Sequence, residues 1–272
     1  MTPGATALPD PIEGIGPLGV RVVGDSGPVV VLIHGLGRVA ATWRDVAALT
    51  RDEVRLVLPD NPGLGRSSAL KVPWSMIEHA RLHIATLDAL GLPPPYHLAG
   101  LSLGGMIAPT VADLLGERCA SVTLLAASSR ESGFWRLSLG SLMRMAGRSL
   151  ATRSFDHRVN MPELVRATIL EARPGLAKEL DELQEREGFS AWNGFKQLLV
   201  AARWSIASHV PGLPARRLVV VGSDDRLVPP SNSHRLAKII DAQLEVLDGR
   251  GHDMSVDSPD EVARILIEVA RG

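Results

Sequence analysis

Cysteine is almost absent from this chain: Cys119 is the single one in 272 residues. A lone cysteine excludes an intrachain disulfide and a thiolate zinc cluster, and it fits a reducing compartment. Neither sign of charge is in excess, since 29 Lys and Arg stand against 30 Asp and Glu. That balance lacks the electrostatic footprint of a general nucleic-acid or membrane-surface binder. Long apolar runs are missing too. The longest, such as residues 29–33, fall far short of the roughly 18 residues that would cross a bilayer. The opening MTPGATALPDPIEGIGPLG has no basic start and no long apolar stretch, so it does not read as a secretory signal. The expectation is a cytoplasmic protein with a small-molecule partner and neither nucleic acid nor membrane. Aromatics are few, at 4%, yet Phe134, Trp135, Phe155, Phe189, Trp192, Phe195 and Trp204 gather in one stretch.

What is present is an alternation. Short β-branched runs at 29–34, 54–60, 96–101, 121–127, 216–222 and 243–249 are separated by helical patterns near 40–49, 75–90, 103–115, 231–240 and 259–270. Strands that are apolar almost throughout are buried on both faces, which is what helices packed on either side of a parallel sheet produce. The predicted fold class is therefore α/β, a mostly parallel doubly wound sheet. Ser258, Pro259 and Glu261 spell a capping box at the start of the last helix. Nearly ninety residues between the fourth and fifth of these strands have helical patterning and hold the aromatic cluster. Chain that leaves and re-enters one sheet in this way reads as a helical cap, 129–212, inserted in a core made of 1–128 and 213–272; it is expected over the carboxyl ends of the strands, where α/β proteins bind ligands.

The chemistry begins at Gly100-Leu101-Ser102-Leu103-Gly104, a G-x-S-x-G between a predicted strand and a predicted helix. Glycines two residues either side of a serine let the backbone turn sharply and leave the hydroxyl at a helix N-terminus. Serine is a weak nucleophile at neutral pH, so it needs a base within reach and a group to orient that base. His252, on a glycine-bearing loop after the last strand, is the best base among eight histidines. His79 and His83, an i, i+4 pair on a predicted helix, lack a nearby acidic ligand and read as a solvated face rather than a metal site. The loop after 216–222 offers two acids, Asp224 and Asp225. Pro109 lies inside the helix that should follow Ser102, where proline kinks or shortens a helix.

The order serine, acid, histidine at the ends of successive strands resembles the α/β-hydrolase superfamily over almost the whole chain, in its serine esterase and lactonase-like branch with a helical cap. Four further stretches carry the resemblance: HGLG (His34 to Gly37), PDNPGLGRS (Pro59 to Ser67), GSDDRLVP, and GHDMSVDSP after the histidine. The resemblance implies a triad of Ser102, Asp225 and His252, with Asp225 rather than Asp224 as the acid and Glu131 as a fallback. It implies an oxyanion hole formed by the backbone N–H groups of Leu36 and Leu103, whose side chains are then free to be apolar. His34 is expected to brace its loop, Asp60 to hold the following turn, and Asp257 to belong to the start of the last helix. No metal or organic cofactor is implied.

A serine at the elbow argues for acyl chemistry rather than the alkyl-ester chemistry of aspartate-bearing branches. The expected activity is hydrolysis of a small to medium, largely apolar carboxylic ester or lactone, in a pocket formed by Leu36, Leu101, Leu103 and Trp135. Three alternatives stay open. Arg136, Arg144, Arg148, Arg153, Arg158 and Arg166 could dock a carrier-protein or coenzyme A ester. A similar serine site can also hydrolyse the C–C bond of a vinylogous diketone, and the fold can persist as a non-catalytic binding protein.

Overall fold

The computed structural model describes residues 8–12, 14–133, 136–152, 157–188 and 190–272. Seven strands form one sheet: β1 (Val20–Val23), β2 (Val29–Ile33), β3 (Arg55–Pro59), β4 (Tyr96–Leu101), β5 (Cys119–Leu125), β6 (Arg216–Gly222) and β7 (Gln243–Leu247). Their order is β1-β3-β2-β4-β5-β6-β7. All neighbours are parallel except β1, which pairs antiparallel with β3 at the edge. The six parallel strands are the six apolar runs. β1 escapes that reading because it has only four residues and half of them are partly exposed.

The sheet is covered on both faces because its side chains alternate. Val29, Val31 and Ile33 of β2 point into one core and Val30 and Leu32 into the other. The first core is closed by α2 (Met76–Leu90) and α3 (Gly104–Leu115), the second by α1 (Arg44–Thr50). Between β5 and β6 lie α4 (Leu139–Thr152), α5 (His157–Leu164), α6 (Ala167–Ala172), α7 (Leu176–Glu187) and α8 (Ala191–Arg203), with no strand among the described residues. After β6 come α9 (Pro230–Ile239), then the short α10 (Met254–Asp257) and α11 (Pro259–Arg271). In α11 Val262, Ile265, Leu266 and Val269 form the inward stripe against α1 and the sheet. Each such side chain contributes about 1.5–3 kcal/mol of burial.

Of the five intervening helices, α5, α6 and α7 rest on loops beside the sheet through a third cluster, and α8 joins the first core through Val200 and Ala201. Met161, Leu176, Leu180 and Leu183 pack against Val39, Ala41 and Val256. Within them Glu163 is a buried staple: Arg144 Nε and Nη2 donate to its two oxygens at 2.9 and 2.8 Å, Arg148 Nη2 at 2.8 Å and Ser141 Oγ at 2.7 Å. Hydrogen bonds from Arg144 above all outweigh its burial and hold the carboxyl at about 2, well below the usual glutamate range. No helix among the described residues is long and apolar enough to cross a membrane.

Two local expectations change. Pro109 does not shorten its helix, which runs unbroken from Gly104 to Leu115. The capping box before α11 is not formed: Ser258 stands at the N-cap, but its side chain makes no capping bond and its Oγ is buried without a partner. Its φ of −151° and ψ of 55° lie outside the extended geometry that aims an N-cap oxygen at the first turn. Pro259 at the first helical position starts the helix without it.

Candidate active site

Strand β4 ends at Leu101 and α3 begins at Gly104, so Ser102 occupies the turn itself. Its φ is +55°, a left-handed conformation that a non-glycine residue adopts at a cost of about 1–3 kcal/mol. Neighbouring backbone enforces it: Ser102 N–H donates to Leu125 O of β5 at 2.8 Å. The flanking glycines are there for space. A Cβ on Gly100 would lie 2.1 Å from Gly104 O, and one on Gly104 would lie 2.1 Å from Ile33 O. Strand, elbow and helix therefore meet only because both side chains are missing.

His252 follows Gly251 on the loop after β7. Its Nδ1 lies 2.7 Å from Asp225 Oδ2, and both side chains are buried. Asp225 Oδ1 accepts the N–H groups of Leu227 at 2.9 Å and Val228 at 2.8 Å, which fixes the carboxylate plane. Burial pulls the His252 pKa down, but the charge and hydrogen bond of Asp225 and the charge of Asp253 outweigh it, so the ring titrates above its ordinary value. Asp224, next door, is exposed, and its N–H donates to Arg250 O.

Ser102 and His252 line one cavity of about 1370 Å³, together with Leu36, Leu101 and Leu103. Leu36 follows Gly35, whose absent Cβ would stand 3.5 Å from Ser102 Cβ, so the HGLG loop lies directly against the elbow. Leu103 is the residue from which α3 starts. α4 and α8 close the cavity with Leu142, Met145, Phe195, Leu198 and Ala201, and α7 adds Gln184. Trp135, expected in this lining, lies outside the described residues.

The family model described as "Alpha/beta hydrolase family" matches residues 30–265, nearly the whole of this architecture. The chain belongs to the alpha/beta hydrolase family. Among curated relatives of this alpha/beta hydrolase is the dihydrolipoyllysine-residue acetyltransferase component of the acetoin cleaving system of Pseudomonas putida. It is 26% identical over 91% of the chain, which spans 65% of that protein. The 2-hydroxy-6-oxo-6-phenylhexa-2,4-dienoate hydrolase of Burkholderia cepacia is 27% identical over 89% of the chain and 87% of its own length. The pimeloyl-[acyl-carrier protein] methyl ester esterase of Methylococcus capsulatus is 37% identical, but over only 44% of the chain and 46% of its own length. Among solved structures, an esterase of Thermogutta terrifontis covers 93% of the chain and 93% of its own at 23% identity, with a TM-score of 0.72.

The remaining candidates of this hydrolase have other work. Asn61 N–H donates to His34 Nε2 at 2.9 Å, so the proton sits on Nδ1, 2.9 Å from Gly35 O. His34 thus ties its own loop to the one after β3. Asp60 accepts Ala40 N–H at 2.6 Å and Arg66 N–H at 3.0 Å, holding two turns at once. Asp257 accepts Gly251 N–H at 2.9 Å and Arg166 Nε at 3.1 Å, which braces the histidine loop from behind. Glu131 accepts from Ser129, Ser205 and the N–H of Ile206, and it does not meet His252.

His79 and His83 do not form a solvated face. Both are 1% exposed. Met76, Ala80 and Leu87 share their side of α2, so the apolar spacing already placed them inward. Among the described residues no group of three His, Cys, Asp or Glu could hold a metal ion. Of the arginines that could dock a carrier, Arg144 and Arg148 hold Glu163, Arg166 holds Asp257, and Arg136 donates to the carbonyls of Ala201 at 2.9 Å and Ala202 at 3.1 Å. Arg153 and the side chain of Arg158 lie outside the described residues.

Sequence reasoning missed one feature of the site. Arg38 and Asp253, both buried and both in the cavity wall, are joined at 2.5 Å. Their positions beside HGLG and His252 were the available signal.

Proposed function

We propose that this protein is a serine hydrolase of carboxylic esters. The observation that carries the reading is Ser102 on a left-handed elbow, facing the same cavity as a histidine whose far nitrogen is held 2.7 Å from a buried aspartate. Asp225 holds the proton of His252 on Nδ1, leaving Nε2 basic. Nε2 takes the Ser102 proton as Oγ attacks the ester carbonyl. The carbonyl oxygen becomes negative and is received by the backbone N–H groups of Leu36 and Leu103. The imidazolium then gives its proton to the departing alkoxide, and an acyl-Ser102 ester remains. Water attacks that ester with Nε2 again as base, and the acid leaves with Ser102 restored.

The substrate class follows from the walls. Leu36, Leu101, Leu103, Leu142, Phe195 and Leu198 favour an apolar acyl group, and the volume accommodates medium chains or a lactone ring. In this reading residues 129–212 are a cap over a core of 1–128 and 213–272. The substrate is a small molecule; a carrier-bound ester is a weaker case, since the described cap arginines are engaged within the chain. A second reading is favoured by the Burkholderia cepacia relative: hydrolysis of a C–C bond in a vinylogous diketone on the same serine.

The test is a panel of esters graded in acyl length, with lactones and a vinylogous diketone, run on the native chain and on Ser102→Ala. Ester and lactone turnover lost in the alanine variant is the expected result. Turnover of the diketone alone selects the second reading. Ester turnover retained by Ser102→Ala overturns the mechanism.

A further inference from the structure

Two charged groups in the cavity wall take no part in the steps above. Arg38 lies two residues beyond Leu36, and Asp253 follows His252 directly. Arg38 is 6% exposed and Asp253 2%. Nε and Nη2 of the arginine both donate to Asp253 Oδ2, at 2.8 and 2.5 Å, and Ser255 Oγ donates to the other oxygen at 2.5 Å. The bridge joins the loop after β2 to the loop after β7, 215 residues apart. Gln184 of α7 donates to Gly37 O in the first loop, and Asp253 N–H donates to Leu164 O at 2.9 Å from the second.

A buried ion pair is a poor stabiliser, because the loss of hydration offsets most of the attraction and apolar side chains of similar volume do as well. Its position therefore asks for another reason, and the chemistry of His252 supplies one. Three charged groups act on that ring: Asp225 from the loop after β6, Asp253 from its own loop and Arg38 from the loop after β2. The two acids favour the imidazolium and the arginine disfavours it. Ser102 faces the ring's cavity from the elbow and carries no charge. From the intervening helices Met161 brings a thioether to Arg38 and Leu164 a carbonyl to Asp253, both uncharged. Asp257, behind the loop, is taken up by Gly251 N–H and Arg166.

We propose that Arg38 and Asp253 are a positioning pair, clamping the loop that carries Leu36 to the loop that carries His252 and offsetting each other's charge there, so that Asp225 is the main charge acting on the base. The acyl-transfer reading supplies the role of His252; the clamp and its charge balance do not depend on it. Each half has its own consequence. Loss of the arginine leaves the Asp253 charge unbalanced beside the imidazole, loss of the carboxylate leaves the Arg38 charge unbalanced there, and loss of both leaves the base's charge surroundings little changed but removes the bridge between the loops.

The experiment titrates His252 by NMR in histidine-labelled native chain, Arg38→Gln, Asp253→Asn and the double variant, and measures kcat and KM for a p-nitrophenyl ester. In Arg38→Gln the midpoint rises by about half a unit or more, and in Asp253→Asn it falls by about as much. The acid limb of kcat/KM follows in each. In the double variant the midpoint returns to near the native one while kcat falls about 10- to 100-fold with KM little changed. Midpoints that stay fixed, or move the same way in both single variants, overturn the charge balance. A double variant with native kcat overturns the clamp, and that measurement stands even if a single variant with one bare buried charge does not fold. If the native chain cleaves no ester, the titration still decides the charge balance, since it needs no substrate. In that case the rate of fluorophosphonate labelling at Ser102 replaces kcat.

Discussion

Asp225 divides its two carboxylate oxygens between structure and chemistry. One is held by the N–H groups of Leu227 and Val228, which leaves the other aimed at His252 Nδ1, 2.7 Å away. Asp225→Asn keeps the shape and removes the charge, and the amide can donate a proton where the carboxylate could only accept one. The expected result is a fall in kcat of about 10³- to 10⁴-fold with little change in KM, because the wrong imidazole tautomer is then favoured. The pH dependence of the residual rate gives the sign. On the proposed mechanism His252 is a neutral base, so kcat/KM should rise with pH through its pKa, which the acids around it hold above the ordinary value. Removing one of those charges lowers the pKa, and the acid limb should move to lower pH in a steady-state profile. An unmoved limb would mean that Asp225 does not act on the base. Adjacent acids could not be told apart by residue type. Asp224 and Asp225 differ in whether the turn after β6 points a side chain outward or inward, which depends on a single backbone step.

The strand, elbow and helix around Ser102 act as one unit, and their fit rests on backbone against backbone. A Cβ on Gly104 would lie 2.1 Å from Ile33 O and 2.9 Å from His34 O, and neither carbonyl belongs to a side chain that could swing away. Gly104→Ala should therefore lose about 3 kcal/mol or more, or fail to fold. Gly147, exposed in the middle of α4, is the contrasting case, since nothing lies within 4 Å of its missing Cβ. There Gly147→Ala should gain about 0.5–1 kcal/mol from helix propensity. Urea denaturation of the two variants checks both, and equal effects would refute the argument from space. At this scale the parallel strands were legible because burial on both faces makes them continuously apolar. β1 was not, because an edge strand of four residues carries too little pattern. The capping box failed because spacing in sequence does not set the φ and ψ that a cap requires.

For the molecule as a whole, the buried histidines of α2 couple stability to pH. His83 Nε2 lies 3.1 Å from Asn61 Oδ1, and Asn61 in turn supports His34, so the ring sits beneath the HGLG loop. Burial is the first cause that depresses both α2 histidines, to about 4 for His79 and about 3 for His83. His79 and His34 further disfavour a charge on His83, and the Pro73 carbonyl only partly relieves His79. The unfolded chain takes up protons at these side chains near pH 6.5, and the native chain does not until the depressed values are reached. Their contribution is complete above about 6.5 and is lost progressively as pH falls towards 3–4. At pH 5 each histidine should cost about 2 kcal/mol relative to pH 7. His252 works in the opposite direction, because its raised value favours the folded state at low pH, so the total slope does not isolate the pair. His83→Gln isolates it: the amide keeps an N–H for Asn61 and cannot be protonated. Unfolding free energies of native and variant chains, measured in urea at pH 7 and pH 5, should differ in their pH dependence by about 2 kcal/mol, with the variant the flatter. Parallel pH dependences would mean that His83 is already charged in the folded state, which the burial of the ring beneath the HGLG loop opposes.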